Sequence, residues 1–210
     1  MLMIPLLNIS WRGLPPHYSP SERDSDVLFL IDEEDLVTFT FDGLKRRLGL
    51  HPETLTRILR RLEEEGIVKK ISEGYKVTPK LTKLKFSTTR DKTQGVTLLQ
   101  TYLPSNMLTQ QLISALSGKW FGILRWLGIS ETREGVALKW VTEDGEIQIA
   151  AKISGGALSI DAKFLRDNNL DLALKASYQL MAHIGKLYSG ARLARHLTYY
   201  SGDDLYLMPA

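Results

Sequence analysis

The chain has 210 residues, 43% of them hydrophobic, a formal net charge of +3 and no cysteine. That hydrophobic fraction excludes a disordered chain and suffices for one large domain or two small ones. The absence of cysteine excludes a disulfide scaffold, thiolate zinc sites and thiol catalysis, and it fits a reducing cytoplasm.

Residues 1–20 read as a short apolar arm and a loop carrying Pro15, Pro16 and Pro20. The apolar opening is far shorter than the roughly 20 residues that cross a bilayer. It also lacks the basic start and long apolar stretch of a secretory signal. A cytoplasmic protein with no membrane partner is expected. Ser21 and Ser25 are alternative N-caps for a helix through Val27, Leu28, Leu30 and Ile31. That helix runs out in the acidic cluster Asp32, Glu33, Glu34, Asp35. Leu36 to Thr40 reads as a short strand. Thr40 or Asp42 starts a helix that carries Leu44 and Leu48 one turn apart and ends at Gly49.

His51 and Pro52 open the next helix, where a proline costs no hydrogen bond. Leu55, Ile58, Leu59 and Leu62 recur at i, i+3, i+4 and i+7, an apolar stripe on one face. Gly66 is placed to end it. From Ile67 to Thr78, two β-like runs flank Ser72-Glu73-Gly74 and predict a hairpin. The polar, non-periodic stretch 83–94 reads as a linker or a continuing helix end. A strand is expected over Gly95–Leu103 and a helix from Pro104 or Ser105 through Leu116. A buried strand is expected over Trp120–Ile129. Three alternating runs follow, around Val136–Trp140, Ile147–Ile153 and Leu158–Phe164. Asp144-Gly145 and Gly155-Gly156 separate them as turns. Lys139, Gln148, Lys152, Asp161 and Lys163 fill the alternate positions, so the runs predict an antiparallel meander with one buried and one wet face. Asn168 or Asn169 starts a long helix to about Tyr188, with Ala173, Ala176, Leu180, Ile184 and Leu187 on one stripe. A short strand around Tyr199 or Leu205 would close the chain.

Helix, strand, helix, turn, helix and hairpin over residues 21–80 is the order of a winged helix-turn-helix. Around the stripe helix, Leu48, Gly49, Thr54, Leu55, Arg57, Leu59, Leu62, Gly66, Ile67 and Val68 carry the spacing of a known regulator motif. In this stretch the chain resembles winged-helix transcriptional regulators of the MarR/ArsR-like, archaeal kind. The resemblance implies double-stranded DNA as partner and operator binding as a homodimer. It covers about 60 residues and none of the C-terminal part, whose effector or partner it leaves undefined.

The residues point the same way. Opposite the apolar stripe lie Glu53, Arg57, Arg60 and Glu64, with Thr54, Thr56 and Arg61 on the flanks. A helix fits the major groove, where arginine donates twice to guanine and threonine offers a hydroxyl or a methyl. Thr54, Thr56 and Arg57 are the expected base readers, with His51 near a base or phosphate. Arg60 and Arg61, Lys45, Arg46 and Arg47 on the preceding helix, and Lys69, Lys70 and Lys76 on the hairpin suit backbone contacts. Glu63, Glu64 and Glu65 sit where the helix should leave the DNA. Gly43 to Lys85 holds twelve Lys/Arg against five Asp/Glu, whereas Ser21 to Asp42 holds one Arg against eight acids. A basic run alone is usually a solvated helix face; here it coincides with a groove-reading motif.

Elsewhere the chemistry is sparse. The four histidines, His17, His51, His183 and His196, have no metal-ligand spacing. No nucleophile elbow, phosphate loop, dinucleotide fingerprint or acid pair is present. Neither an enzyme, a metal nor a cofactor is expected. Trp120, Trp126 and Trp140 suit core packing first and the wall of an effector pocket second. Arg125 interrupts their apolar run and needs an anionic or carbonyl partner, either on a ligand or from an internal acid such as Asp161.

The expected architecture is α+β. It comprises an arm (1–20), a winged helix (21–82), a linker (83–94) and a C-terminal domain of antiparallel sheet with packed helices (95–210). That last domain is expected to dimerise and is a candidate for binding a small-molecule effector. The main alternative is a winged helix used as a protein–protein or RNA-binding module. RNA is kept open by Lys139, Lys152 and Lys163 on the wet sheet face.

Overall fold

The computed structural model describes residues 18, 20–78, 95–103, 109–132, 135–166 and 168–200, with side chains of the last helix described through Leu187. The N-terminal half contains α1 (Glu22–Glu33), β1 (Leu36–Phe39), α2 (Phe41–Leu48), α3 (Pro52–Glu64), β2 (Val68–Ile71) and β3 (Gly74–Val77). The C-terminal half contains β4 (Val96–Tyr102), α4 (Thr109–Leu116), β5 (Leu124–Thr132), β6 (Gly135–Thr142), β7 (Ile147–Ser154), β8 (Ala157–Phe164) and α5 (Leu170–Tyr200). The fold is α+β.

Local chemistry sets the helix starts. Of the two candidate serines, Ser21 caps α1. The Asp24 amide donates to Ser21 Oγ at 3.3 Å, and the Ser21 amide donates back to Asp24 Oδ2 at 2.9 Å, a reciprocal capping box. Ser25 lies inside the helix and donates to the Ser21 carbonyl. Thr40 caps α2 by accepting from the Gly43 amide at 3.2 Å, and Asp42 falls in the first turn. Gly49 ends α2 in the left-handed conformation, with φ 63°. Pro52 occupies the first turn of α3.

All eight strands belong to one antiparallel sheet, ordered β2-β3-β1-β5-β6-β7-β8-β4. β1 is the joint. One edge pairs with the hairpin, Phe39 opposite Tyr75, and the other with the meander, Phe39 opposite Gly128. The hairpin and the C-terminal strands are therefore parts of one sheet. Two glycines make this approach feasible. A Cβ on Gly128 would collide with the Thr38 carbonyl oxygen, and one on Gly43 would lie 2.6 Å from the Leu127 Cα. Thr40 ties the joint further, its amide donating to Leu127 O at 2.9 Å and its hydroxyl to Trp126 O at 3.0 Å.

Two cores result. Val27, Leu28, Ile31, Phe39, Leu44, Leu55, Ile58, Leu59 and Leu62 fill the space between α1–α3 and the hairpin end of the sheet. Trp126, Leu138, Trp140, Ile149, Leu158 and Ile160 face α4 and α5, whose Leu112, Leu116, Ala173, Ala176, Leu180 and Ile184 close the second. The α5 stripe is the one that the spacing predicts.

Three expectations need correction. The sheet face opposite the tryptophans is wet only in part: Lys139, Gln148 and Asp161 are 8%, 3% and 7% exposed, whereas the Lys152 side chain is 55% exposed. Alternation reports polarity but not what lies on top, and here the end of α1 does. The strand expected over Trp120–Ile129 begins at Leu124, because Phe121 and Leu124 pair across a tight turn at Gly122. Tyr199 lies in α5, not in a strand. The linker 83–94, most of the arm 1–20 and Leu205 lie outside the described residues.

Candidate nucleic-acid interface

Burial of Leu55, Ile58, Leu59 and Leu62 turns the opposite side of α3 outward. His51, Thr56, Arg57 and Arg60 are exposed there, and Thr54 is half-buried. Thr56 donates its hydroxyl to the Pro52 carbonyl at 2.9 Å, which leaves its methyl and oxygen lone pairs outward. Arg57 donates to Glu53 Oε1 at 2.6 Å, and Arg60 to Glu64 Oε1 at 2.9 Å. The Arg57–Glu53 pair is 72% and 66% exposed, so it is a weak i,i+4 interaction that a phosphate or base edge can replace at little cost. Arg61 differs. It is ion-paired with Asp24, whose side chain is only 3% exposed, so it clamps α3 onto the start of α1. The phosphate role expected for Arg61 competes with this internal pairing.

The preceding helix splits its basic run. Lys45 donates to Asp42 Oδ1 at 3.0 Å and Arg46 to the Asp42 carbonyl at 3.3 Å, both near the surface. Arg47 turns inward. Its Nε donates to Gln148 Oε1 at 3.1 Å, its NH2 lies 3.7 Å from Glu34 Oε1, and its side chain is 13% exposed. Arg47 is therefore a joint residue, contrary to the backbone contact expected of it; adjacent positions on a helix point about 100° apart. On the hairpin, Lys69 and Lys76 stand directly opposite each other, and both are exposed. Facing like charges destabilise a strand pair, a strain that a polyanion relieves. Lys70 is also exposed, and its amide donates to Glu63 Oε1 at 3.2 Å. Tyr75 stacks on Phe39 at 5.6 Å and holds the hairpin to β1.

Behind this surface lies a buried charge cluster that the sequence analysis missed. Glu34 Oε2 accepts from Lys139 Nζ and from Gln148 Nε2, each at 2.7 Å. Glu34 Oε1 accepts from Lys163 Nζ at 2.7 Å, and Lys163 also donates to Glu33 Oε1 at 2.9 Å. Lys139 further donates to the Glu34 carbonyl. Burial by itself would raise the Glu34 carboxyl, but the Lys139 and Lys163 ammoniums and their hydrogen bonds outweigh it and hold it at about 2. Glu34 and Arg47 thus fasten α1 and α2 to β6, β7 and β8. The available signal was the acidic cluster 32–35 set against lysines at alternating strand positions.

The residues considered for an effector pocket are divided. Trp126 and Trp140 pack edge to face at 5.1 Å in the core, and Trp140 Nε1 donates to the Lys119 carbonyl at 2.8 Å. Trp120 is 60% exposed, with the Arg125 guanidinium 4.8 Å from its ring. The acid partner of Arg125 is Glu143, at 3.0 Å, not Asp161. His183 packs on the Phe121 ring at 4.6 Å. Among the described residues no group of three or more His, Cys, Asp or Glu could hold a metal ion, and no helix is long and apolar enough to cross a membrane.

Residues 21–73, from the α1 cap to the turn of the hairpin, match the sequence model of the MarR family. That segment is a winged helix of transcriptional-regulator type, which points to DNA binding. No curated protein and no solved structure matches the chain.

Proposed function

We propose that the protein is a sequence-specific, non-enzymatic DNA-binding transcriptional regulator that works in the cytoplasm as a homodimer. The observation that supports this reading is the outward face of α3, which exposes His51, Thr56, Arg57 and Arg60 with half-buried Thr54 at its edge; on this reading Thr54, Thr56 and Arg57 contact base edges. Lys45, Arg46, Lys69, Lys70 and Lys76 supply phosphate contacts around it. Dimerisation is supported by the length of α5. Its 31 residues extend about 46 Å, whereas the eight-residue strands it covers extend about 26 Å. That length leaves room for a contact beyond its own strands, and helix-turn-helix regulators commonly bind paired half-sites. The RNA alternative is weaker, because Lys139 and Lys163 are engaged by Glu34, although Lys152 stays exposed beside Asp161.

Selection of bound sequences from a random duplex pool tests this reading, and a palindromic product is expected. Affinity for the selected duplex should fall with salt at a log–log slope of about −0.9 per phosphate contact. Lys70→Ala should weaken all duplexes alike. No duplex binding by the intact protein at low salt would overturn the proposal.

A further inference from the structure

Between the end of α1 and the sheet face opposite the tryptophans lies a cavity of about 640 Å³, inside the usual range of small-molecule sites. Strand register sets its floor. Lys139, Ala150 and Asp161 are cross-strand neighbours in one row, and Ala137, Lys152 and Ser159 in the next. Lys139 and Asp161 therefore stand two strand spacings apart, about 10 Å, with only the Ala150 methyl between them. The small residues leave the space and the charged ones bracket it.

The walls define the chemistry of an occupant. At one end the Lys139 and Lys163 ammoniums are already engaged by Glu33 and Glu34. At the other, Asp161 Oδ2 lies 2.5 Å from Lys152 Nζ, while Asp161 Oδ1 is buried and has no hydrogen-bond partner among the described residues. The Asp161 side chain is 9% exposed. A buried carboxylate oxygen without a donor is costly, so this atom is an open acceptor. Among the described residues no aromatic side chain lines the cavity, so these walls offer a planar aromatic compound nothing to stack on. Anions meet Glu33, Glu34, Asp35 and Asp161, and the Lys139 and Lys163 ammoniums are already engaged, which leaves only Lys152 with donors to spare. Lys152, Ser159 and Gln100 offer donors and acceptors along the same wall. Groups that give and take hydrogen bonds at adjacent atoms suit this lining best.

We propose that this cavity binds a small polyhydroxylated molecule, one of whose hydroxyls donates to Asp161 Oδ1 while another accepts from Lys152. The inference does not depend on DNA binding, and its test contains no DNA. The full chain is titrated with ribose, glucose and myo-inositol, following the backbone amides of Ala150, Ser159 and Asp161 by NMR. Spermidine and benzoate are titrated in parallel. At least one polyol should shift these amides saturably. Asp161→Ala should weaken that binding by about tenfold or more, the size expected for loss of a hydrogen bond to a charged group. Ala150→Leu fills the floor without removing a charge and should abolish binding even if Asp161→Ala fails to fold. Three results would each overturn the proposal: no saturable shift with any polyol, shifts from spermidine or benzoate alone, or undiminished polyol binding by folded Ala150→Leu protein.

Discussion

Glu34 accepts from two ammonium groups and one amide while almost wholly buried, so no single partner is dispensable. Removing one member of such a pair strands the other charge. Lys139→Met should cost about 3–5 kcal/mol in urea unfolding. The carboxyl ordinarily titrates at 4.5 and is held at about 2 in the folded chain. Its contribution is complete above the ordinary value and is lost as pH falls from there towards about 2. That contribution is roughly 3 kcal/mol, and a Glu34→Gln protein should show a correspondingly flatter acid limb. The arginines of α3 separate by partner. Arg57→Ala removes an exposed side chain, so stability should hold while discrimination at one base pair drops by about 1–3 kcal/mol. Arg61→Ala leaves buried Asp24 with less compensation and should lower stability by about 1 kcal/mol. A melting curve and a binding titration on the two variants read out this contrast.

The joint between elements rests on close backbone approach, not on side-chain bulk. Gly128 lies against Thr38 in β1, and Gly43 brings α2 onto the Leu127 backbone. A side chain at either place meets main chain that cannot step aside. Gly128→Val should therefore destabilise by about 1–3 kcal/mol or more, as overpacking does. Its effect should also appear as weakened protection of the β1–β5 amides in hydrogen exchange. Much at this scale was legible in the sequence. The i, i+3, i+4, i+7 stripe of α3, the Ser72-Glu73-Gly74 turn and the three alternating runs all form as their periods indicate. These patterns are local, since a period of 3.6 or 2 states which side of an element is apolar. Where neighbours intervened, the period was insufficient. Nothing in the sequence near Trp120 says that the strand waits until Leu124.

For the whole molecule, the continuous sheet makes the winged-helix half and the C-terminal half cooperative partners. β1 hydrogen-bonds to both, and the Glu34 cluster adds a second tie. Calorimetry should show a single unfolding transition with equal calorimetric and van't Hoff enthalpies. Two separated transitions would contradict a shared sheet. Changes at β6–β8 have a direct mechanical route to α2, since Arg47 bonds Gln148 in β7 while its neighbours Lys45 and Arg46 stand at the candidate interface.

What the sequence determined alone was the identity of most elements and the winged-helix order of the first half, because capping residues and apolar periods act within a few tens of residues. The Gly49 stop and the Pro52 start are written in the chain and form as written, whereas the fold chose Ser21 over Ser25 and Thr40 over Asp42 as caps. Only the tertiary structure decided that Arg47, Lys139 and Lys163 serve an internal cluster. The partners Glu34 and Lys139 are 105 residues apart, and Glu34 and Gln148 are 114 apart. A buried charge is chosen by what folds over it. Polarity along a strand carries no record of that until α1 is laid across the sheet.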